Sequence, residues 1–490
     1  MQIIIVVNNP ADWPFELPDV MVVAARNYLT DPYYLDLRNV KIFNLCRSYR
    51  YQSTGYYVSL LAAARGHKPI PGIATIQDMK LQTIIRIVSD ELDDLIQQNL
   101  NPIKSDRYVL SIYFGRNLAK KYDKLSSHLF NLFQAPLLRA HFANNGQRWQ
   151  LQSIGPVAAA DIPEDHLDFI ADAARDYFAG KRRAIPKKTI PRYDMAILHS
   201  EKEKAPPSDE KALNKFIRAA DQLGIGTELI TREDYARLAE FDGLFIRETT
   251  NVNHHTFRFA RRASAEGLVV IDDPESILRC TNKVYLAELL NRHDVPTPKT
   301  VILHKDNIDN VIQQLGFPLI LKQPDGSFSQ GVVKISDPKM MFEESERFLD
   351  KSDLVIAQEF MPTEFDWRIG IIDRKPLYAC RYYMARKHWQ IIKTDARGGY
   401  SYGNNETVPI ELAPSNVVKT ALKAANLIGD GLYGVDIKES GNKCVVIEVN
   451  DNPNLDAGVE DLILKDDLYL RIMQVFLNRI EARKEGRVKY

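Results

Sequence analysis

Near its carboxyl end the chain carries two segments that restrict their own pairing. GVDIK (434–438) and CVVIEVNDNPN (444–454) are β-rich and flank a turn-like ESGN, so they read as a hairpin. Glu448 and Asn450 lie two residues apart, and a strand sends both to the same face. Asp436 joins them if the hairpin sets even-numbered residues opposite even-numbered ones. A three- or five-residue loop centred on Gly441, with Asp436 opposite Val446, meets that condition. Three oxygen ligands on one face suit Mg²⁺ bound to a nucleotide. The plain alternative is a hairpin whose polar face is simply wet.

At 490 residues the chain is too long for one ordinary core, and two to four domains are expected. Its 45% hydrophobic content is that of a globular protein. Lys+Arg and Asp+Glu are both 64, so bulk attraction to nucleic acid or anionic lipid is not a theme, and neither is expected as a partner. MQIIIVV lacks a charged leader and reads as a first strand, not a signal peptide. No apolar run reaches the length of about 18 residues that a membrane helix needs. Cys46, Cys280, Cys380 and Cys444 are scattered without metal-ligand spacing, which fits reduced thiols in a cytoplasmic protein.

Three blocks emerge. Residues 1–180 mix strand and helix, with strands at IIIVV and NVKIFNL (39–45) and helices around 56–65 and 76–99. A basic, proline-containing linker follows at 180–192. Residues 193–280 alternate strand and helix, as βαβ units on a parallel sheet do, but lack a Gly-x-Gly-x-x-Gly fingerprint. Residues 281–490 are antiparallel-rich with interspersed helices.

The third block holds most of the candidate chemistry. Asn282 is a candidate N-cap, which puts Lys283 at a helix start, where a cation opposes the dipole unless an anion is bound there. Lys322 ends the strand PLILKQ. The loop PDGSFSQG (324–331), with Gly326, Ser327, Ser329 and Gly331, can fold backbone N–H groups over phosphate or serve as an ordinary hairpin connection. Gln358 and Glu359 close an apolar strand beside Phe360 and Met361, offering polar groups to a base edge and an apolar wall. FDWRIGIID brings Asp366 and Arg368. Arg381 sits mid-strand in LYACRYYMAR, where a guanidinium needs an anion or a structural carboxylate such as Asp366. DARGGYSYGNN (395–405) is a glycine-rich loop carrying Arg397.

In this order the motifs resemble the ATP-grasp superfamily, most closely the RimK-type carboxylate–amine ligases, over about 193–490. The first block is similar to the N-terminal domain attached to a subset of RimK-like proteins. The resemblance implies an α/β and α+β architecture: an ATP-grasp fold (281–490), a small Rossmann-like pre-ATP-grasp domain (193–280) and an extra mixed α/β N-terminal domain (1–180). It implies ATP phosphates on Lys283 and Lys322 under the loop of Gly326, Ser327, Gln330 and Gly331. Gln358, Glu359, Phe360 and Met361 would meet adenine, with Glu364 or Asp366 at the ribose and Arg368 nearby. Asp436, Glu448 and Asn450 would hold two Mg²⁺ ions, or Mn²⁺ in their place. Arg381 and Arg397 would face the γ-phosphate and the acceptor carboxylate. The implied partners are a carboxylate acceptor and an amino-acid or amine donor, and a homo-oligomer is compatible with them. Two departures bear on the substrate: the loop reads DGSFSQG instead of an acidic Glu-Gly form, and Asn454 stands where glycine is common. A phosphotransferase on the same fold and a non-catalytic ATP-binding regulator stay open as alternatives.

Overall fold

The computed structural model describes residues 2–146, 148–179, 191–325, 331–385, 389–394, 400–441 and 443–485. The chain separates into two compact units, one of residues 1–194 with 233–241 and one of residues 195–232 with 242–490.

The first unit contains a four-stranded parallel sheet in the order Val20–Ala24, Gln2–Val7, Val40–Asn44, Lys68–Ile70. The central strands read as near-continuous apolar runs because both of their faces are buried. A three-stranded antiparallel sheet joins Arg107–Tyr113, Leu137–Asn144 and Trp149–Pro156. Lys41, buried in the parallel sheet, meets Glu240 at 2.6 Å, which explains how the short 233–241 segment is held within this unit.

The second unit begins with a four-stranded sheet in the order Val269–Ile271, Gly243–Ile246, Tyr193–Leu198, Ile225–Ile230, its first three strands parallel. The helices Glu210–Gln222 and His255–Ala265 supply the crossovers that parallel pairing requires. Two antiparallel sheets follow. The smaller runs Thr300–Leu303, Val355–Glu359, Leu319–Lys322, Val332–Ile335; the larger runs Asn405–Val408, Lys375–Tyr383, Phe365–Ile372, Leu432–Ser440, Lys443–Asp451. No helix among the described residues is long and apolar enough to cross a membrane.

The larger sheet is two-faced. Trp367, Ile369, Val435, Ile437, Val446 and Val449 pack on Val417, Ala421, Ala424 and Ile428 of the Ser415–Ile428 helix. Strand alternation therefore turns Asp366, Arg368, Asp436, Lys438, Glu448 and Asn450 to the other face.

The hairpin register corrects the expected loop. Only two residues separate the paired Ser440 and Lys443, and Val446 lies opposite Ile437, not Asp436. Such a connection alone would set Asp436 opposite Ile447, with the wrong parity. A bulge at Ile447 adds the missing residue, and Asp436 then pairs with Glu448. The shared face expected of Asp436, Glu448 and Asn450 is present, by a different device.

Gly370 allows a close approach within this sheet. A Cβ there would lie 2.1 Å from the ring of buried Tyr378. Gly370→Val should lower stability by about 1–3 kcal/mol through overpacking, read as a fall in the denaturation midpoint.

Candidate active site

Two cavities open on the charged face of the larger sheet, and Asp436, Glu448 and Ile391 line both. The smaller, about 140 Å³, has apolar walls from Ile320, Val332, Phe360, Met361, Trp389 and Ile447, with Lys322, Gln358 and Asp366 among its polar lining. The larger, about 450 Å³, runs from Lys283, Arg368 and Asn450 to Thr249, Thr250, Asp456 and Glu460.

Local sequence explains how the lysines arrive. Asn282 caps the Lys283–Arg292 helix, accepting from the Val284 and Tyr285 amides, so Lys283 takes the first helical position. Its Nζ lies 2.7 Å from Glu448 Oε1. Lys322 ends its strand partly buried, and desolvation brings its pKa down to about 8. Burial pushes the Glu448 carboxyl up, but Lys283 and Lys322 outweigh it and hold the group below the usual carboxylate range. Arg368 grips Asp436 with two bonds, Nε to Oδ1 at 2.7 Å and Nη2 to Oδ2 at 2.8 Å, while the Asn450 amide donates to Asp436 Oδ2 at 3.2 Å.

The donor set fits a hard divalent cation. Asp436, Glu448 and Asn450 offer oxygen only, they share one face, and both carboxylates are charge-matched by Arg368 and Lys283. No cluster of three His, Cys, Asp or Glu side chains suited to a metal occurs among the described residues, so the amide oxygen of Asn450 would have to complete this set.

Other expected site residues fall as follows. Gln358, Glu359, Phe360 and Met361 line the smaller cavity together, and the Gln358 amide donates to Thr300 Oγ1. Asp366 lines the same cavity but is engaged by Lys438 at 2.6 Å and by the Thr363 hydroxyl. Burial raises its pKa, against the pull of Lys438. Glu364 is exposed and lines neither cavity, and Gly331 closes the hairpin next to Gln323. Gly326, Ser327, Gln330 and Arg397 lie outside the described residues.

Arg381 is the clear correction. It pairs across the sheet with Trp367 and Glu406, on the face turned away from Arg368 and Asp436. Its guanidinium stacks 4.6 Å from the Trp367 ring and 5.1 Å from Phe365, and meets Glu406 at 3.2 Å. Odd-numbered positions of that strand face the helix-covered core, so Arg381 answers to aromatic rings and a structural carboxylate. The arginine that lines the larger cavity, paired with Asp436, is Arg368.

Several site residues escaped sequence reasoning. Lys438 was within reach, since it follows Asp436 by two residues in one strand and so shares its face. Thr249, Thr250, Tyr382 and Trp389 come from separate segments with no local motif to mark them. Removing one partner of a buried ion pair strands the other's charge. Arg368→Met should therefore cost about 3–5 kcal/mol in urea denaturation, and Arg368→Met with Asp436→Asn should recover most of that loss.

The sequence profile of the RimK-like ATP-grasp N-terminal domain matches residues 25–173, and that of the RimK-like ATP-grasp domain matches residues 280–473. The chain is similar to a probable alpha-L-glutamate ligase of Vibrio vulnificus strain YJ016, at 28% identity over 233 residues, covering 47% of this chain and 74% of that one. It is also similar to the alpha-aminoadipate–LysW ligase LysX of Saccharolobus solfataricus, at 30% identity over 195 residues, covering 38% of this chain and 67% of that one. Among solved structures, the D-alanine–D-alanine ligase from Bacillus anthracis aligns with a TM-score of 0.47 and 18% identity, over 60% of this chain and 99% of that one. On the two profile matches and the 30% identity to the LysX ligase, the chain belongs to the RimK-like ATP-grasp family and is an ATP-dependent carboxylate–amine ligase.

Proposed function

We propose that the enzyme adds an amino acid to a peptide, a protein terminus or a small metabolite through an acyl phosphate. The observation that carries this is the oxygen-bearing face on which Asp436 and Glu448 line both cavities and Asn450 lines the larger. Adenine takes the smaller cavity, between Ile320, Phe360 and Ile447, with Gln358 and Glu359 at its polar edge. Lys283 and Lys322 hold the phosphates. Asp366, tied to Lys438, stands toward the ribose. The acceptor carboxylate occupies the larger cavity beyond Arg368. Relatives named for glutamate and aminoadipate ligation support an amino-acid-type substrate. The division of labour follows the blocks: 281–490 for catalysis, 193–280 as the pre-ATP-grasp domain and 1–180 as the N-terminal domain. Four buried, unpaired cysteines support a cytoplasmic setting.

A carboxylate is a poor electrophile because its charge repels an approaching amine. A carboxylate oxygen attacks the γ-phosphorus, the bond to the β-phosphate oxygen breaks, and ADP leaves. The amine then attacks the acyl carbon, phosphate departs, and the amine nitrogen loses a proton. The protein contributes positioning and charge neutralisation, as in other phosphoryl transfers. Lys283 and Lys322 bear on the phosphate oxygens from the helix start and the strand end. Arg368 holds Asp436 in one orientation and keeps positive charge near the reacting carboxylate. Asp436, Glu448 and Asn450 would hold two Mg²⁺ ions, which supply neutralisation of the β- and γ-phosphates when bound.

A screen of amino acids and short peptides for substrate-dependent ADP release, with product mass, tests the reaction. Hydroxylamine should trap the acyl phosphate as a hydroxamate; ADP release without any trapped product would argue for a phosphotransferase. Glu448→Gln should lower turnover by about 10²–10³-fold, whereas Arg381→Ala, on the far face, should stay close to wild type. Wild-type ADP release from Glu448→Gln would refute the assignment.

Lys322 gives the reading a pH signature. ATP favours the ammonium form, which the free enzyme loses as pH rises through about 8. Affinity for ATP should be flat below that pH and weaken above it, by up to about tenfold per unit. Titration calorimetry checks this, and Lys322→Met should bind more weakly throughout and flatten the profile.

A further inference from the structure

Arg247 is among the largest fully buried side chains, at 1% exposure, yet it lines neither cavity. Its hydrogen bonds among the described residues reach four neutral oxygens and no carboxylate. Nε donates to Ser208 Oγ at 3.0 Å, Nη1 to Asn452 Oδ1 at 2.5 Å, and Nη2 to the Pro207 and Pro453 carbonyls at 2.5 and 2.9 Å. Burial draws its pKa down to about 10, with Asp272, Asp456 and Glu460 opposing this without a direct bond. A cation buried without a contacting anion carries a desolvation cost of several kcal/mol that an apolar side chain would avoid. Such a choice calls for a reason beyond filling space.

The reason lies in what the guanidinium grips. Asn452 and Pro453 form the turn directly after the strand that carries Glu448 and Asn450. Asn452 is held at φ 46°, in the left-handed region. Its amide N–H donates to Asp272 Oδ2 at 2.7 Å, and its side-chain NH₂ donates to the Glu248 carbonyl at 2.5 Å. Pro453 presses on the facing strand, so closely that a Cβ on Gly434 would lie 2.8 Å from its ring. Gly434 is two residues from Asp436 and pairs with Asn450. The Thr250 hydroxyl anchors the next link, donating to Asp451 Oδ2 at 2.6 Å. The segment just after the Gly243–Ile246 strand thus holds the turn that leaves the Glu448–Asn450 strand and packs against Gly434 of the Asp436 strand.

We infer that Arg247 is a positioning residue for the metal–nucleotide site: its four fixed bonds set the 452–453 turn, and through it the placement of Asn450, Glu448 and Asp436. This rests on the ligand roles proposed above. Lysine keeps the charge but offers a single donor atom without the planar fork, so it cannot hold the four oxygens together. Ile320, Lys322, Gln358 and Phe360 of the smaller cavity lie on other segments and should not respond.

The test compares wild type, Arg247→Lys and Asn452→Ala by their affinity for AMP-PNP with and without Mg²⁺, alongside thermal denaturation. Metal-free affinity should be unchanged, while the gain in affinity on adding Mg²⁺ should shrink by about tenfold, the usual scale for residues that orient metal ligands. Substrate-dependent ADP release should fall in step, with the KM for Mg–ATP rising as that affinity falls. If Arg247→Lys does not fold, Asn452→Ala, which removes one gripped oxygen together with the side chain's bond to the Glu248 carbonyl, decides. A wild-type Mg²⁺ gain overturns the proposal. Equal losses with and without metal also overturn it, because they mark a general structural role. Absence of ADP release from wild type with every substrate would instead sink the ligase reading, with the nucleotide titrations still deciding on Arg247.

Discussion

The bidentate pair between Arg368 and Asp436 sits at the centre of a sheet with two incompatible faces. On one face, strand alternation delivers apolar side chains to the Ser415–Ile428 helix and buries them. On the other, the same alternation delivers Asp366, Arg368, Asp436, Lys438 and Glu448, which no apolar layer could cover. These charges lie at low exposure because they answer one another: Arg368 with Asp436, Lys438 with Asp366, Lys283 with Glu448. Removing one member leaves its partner desolvated and unpaired, which is the costly case for buried ions. On the proposed reading a nucleotide enters by exchanging partners, phosphate for the Glu448 carboxylate at Lys283 and a divalent cation for the lysine at Glu448.

Two small backbone devices make that face usable. The Ile447 bulge restores parity after a two-residue connection and also turns Ile447 into the wall of the smaller cavity. The Asn282 cap satisfies the first amides of the following helix and so fixes where Lys283 begins it. Neither device contributes many contacts, but each determines which way a charged side chain points.

Much of the architecture was legible because it follows from local periodicity. The alternating strands and helices of 193–280, the antiparallel runs after Leu319, the Asn282 cap and the common face of Glu448 and Asn450 all rest on spacing within a few residues. Lys438 could have been found by the same rule. An arginine within an apolar strand suggests an anion, but parity with Trp367 sends Arg381 to the core side. The hairpin connection is not legible in the sequence because a bulge leaves no composition signal as plain as a glycine turn.

By itself the sequence determined the strand and helix order, the motif order that carries the family resemblance, and the polar identity of the closing hairpin. Tertiary structure decided which arginine lines the larger cavity beside Asp436 and how Asp436 comes opposite Glu448. It also decided that Arg247, some two hundred residues from Asn452 in the chain, holds the turn beyond the oxygen-bearing strand. The physical reason is range: periodicity and capping act over one turn or one strand, whereas buried charges and cavities form only when distant segments exclude water together.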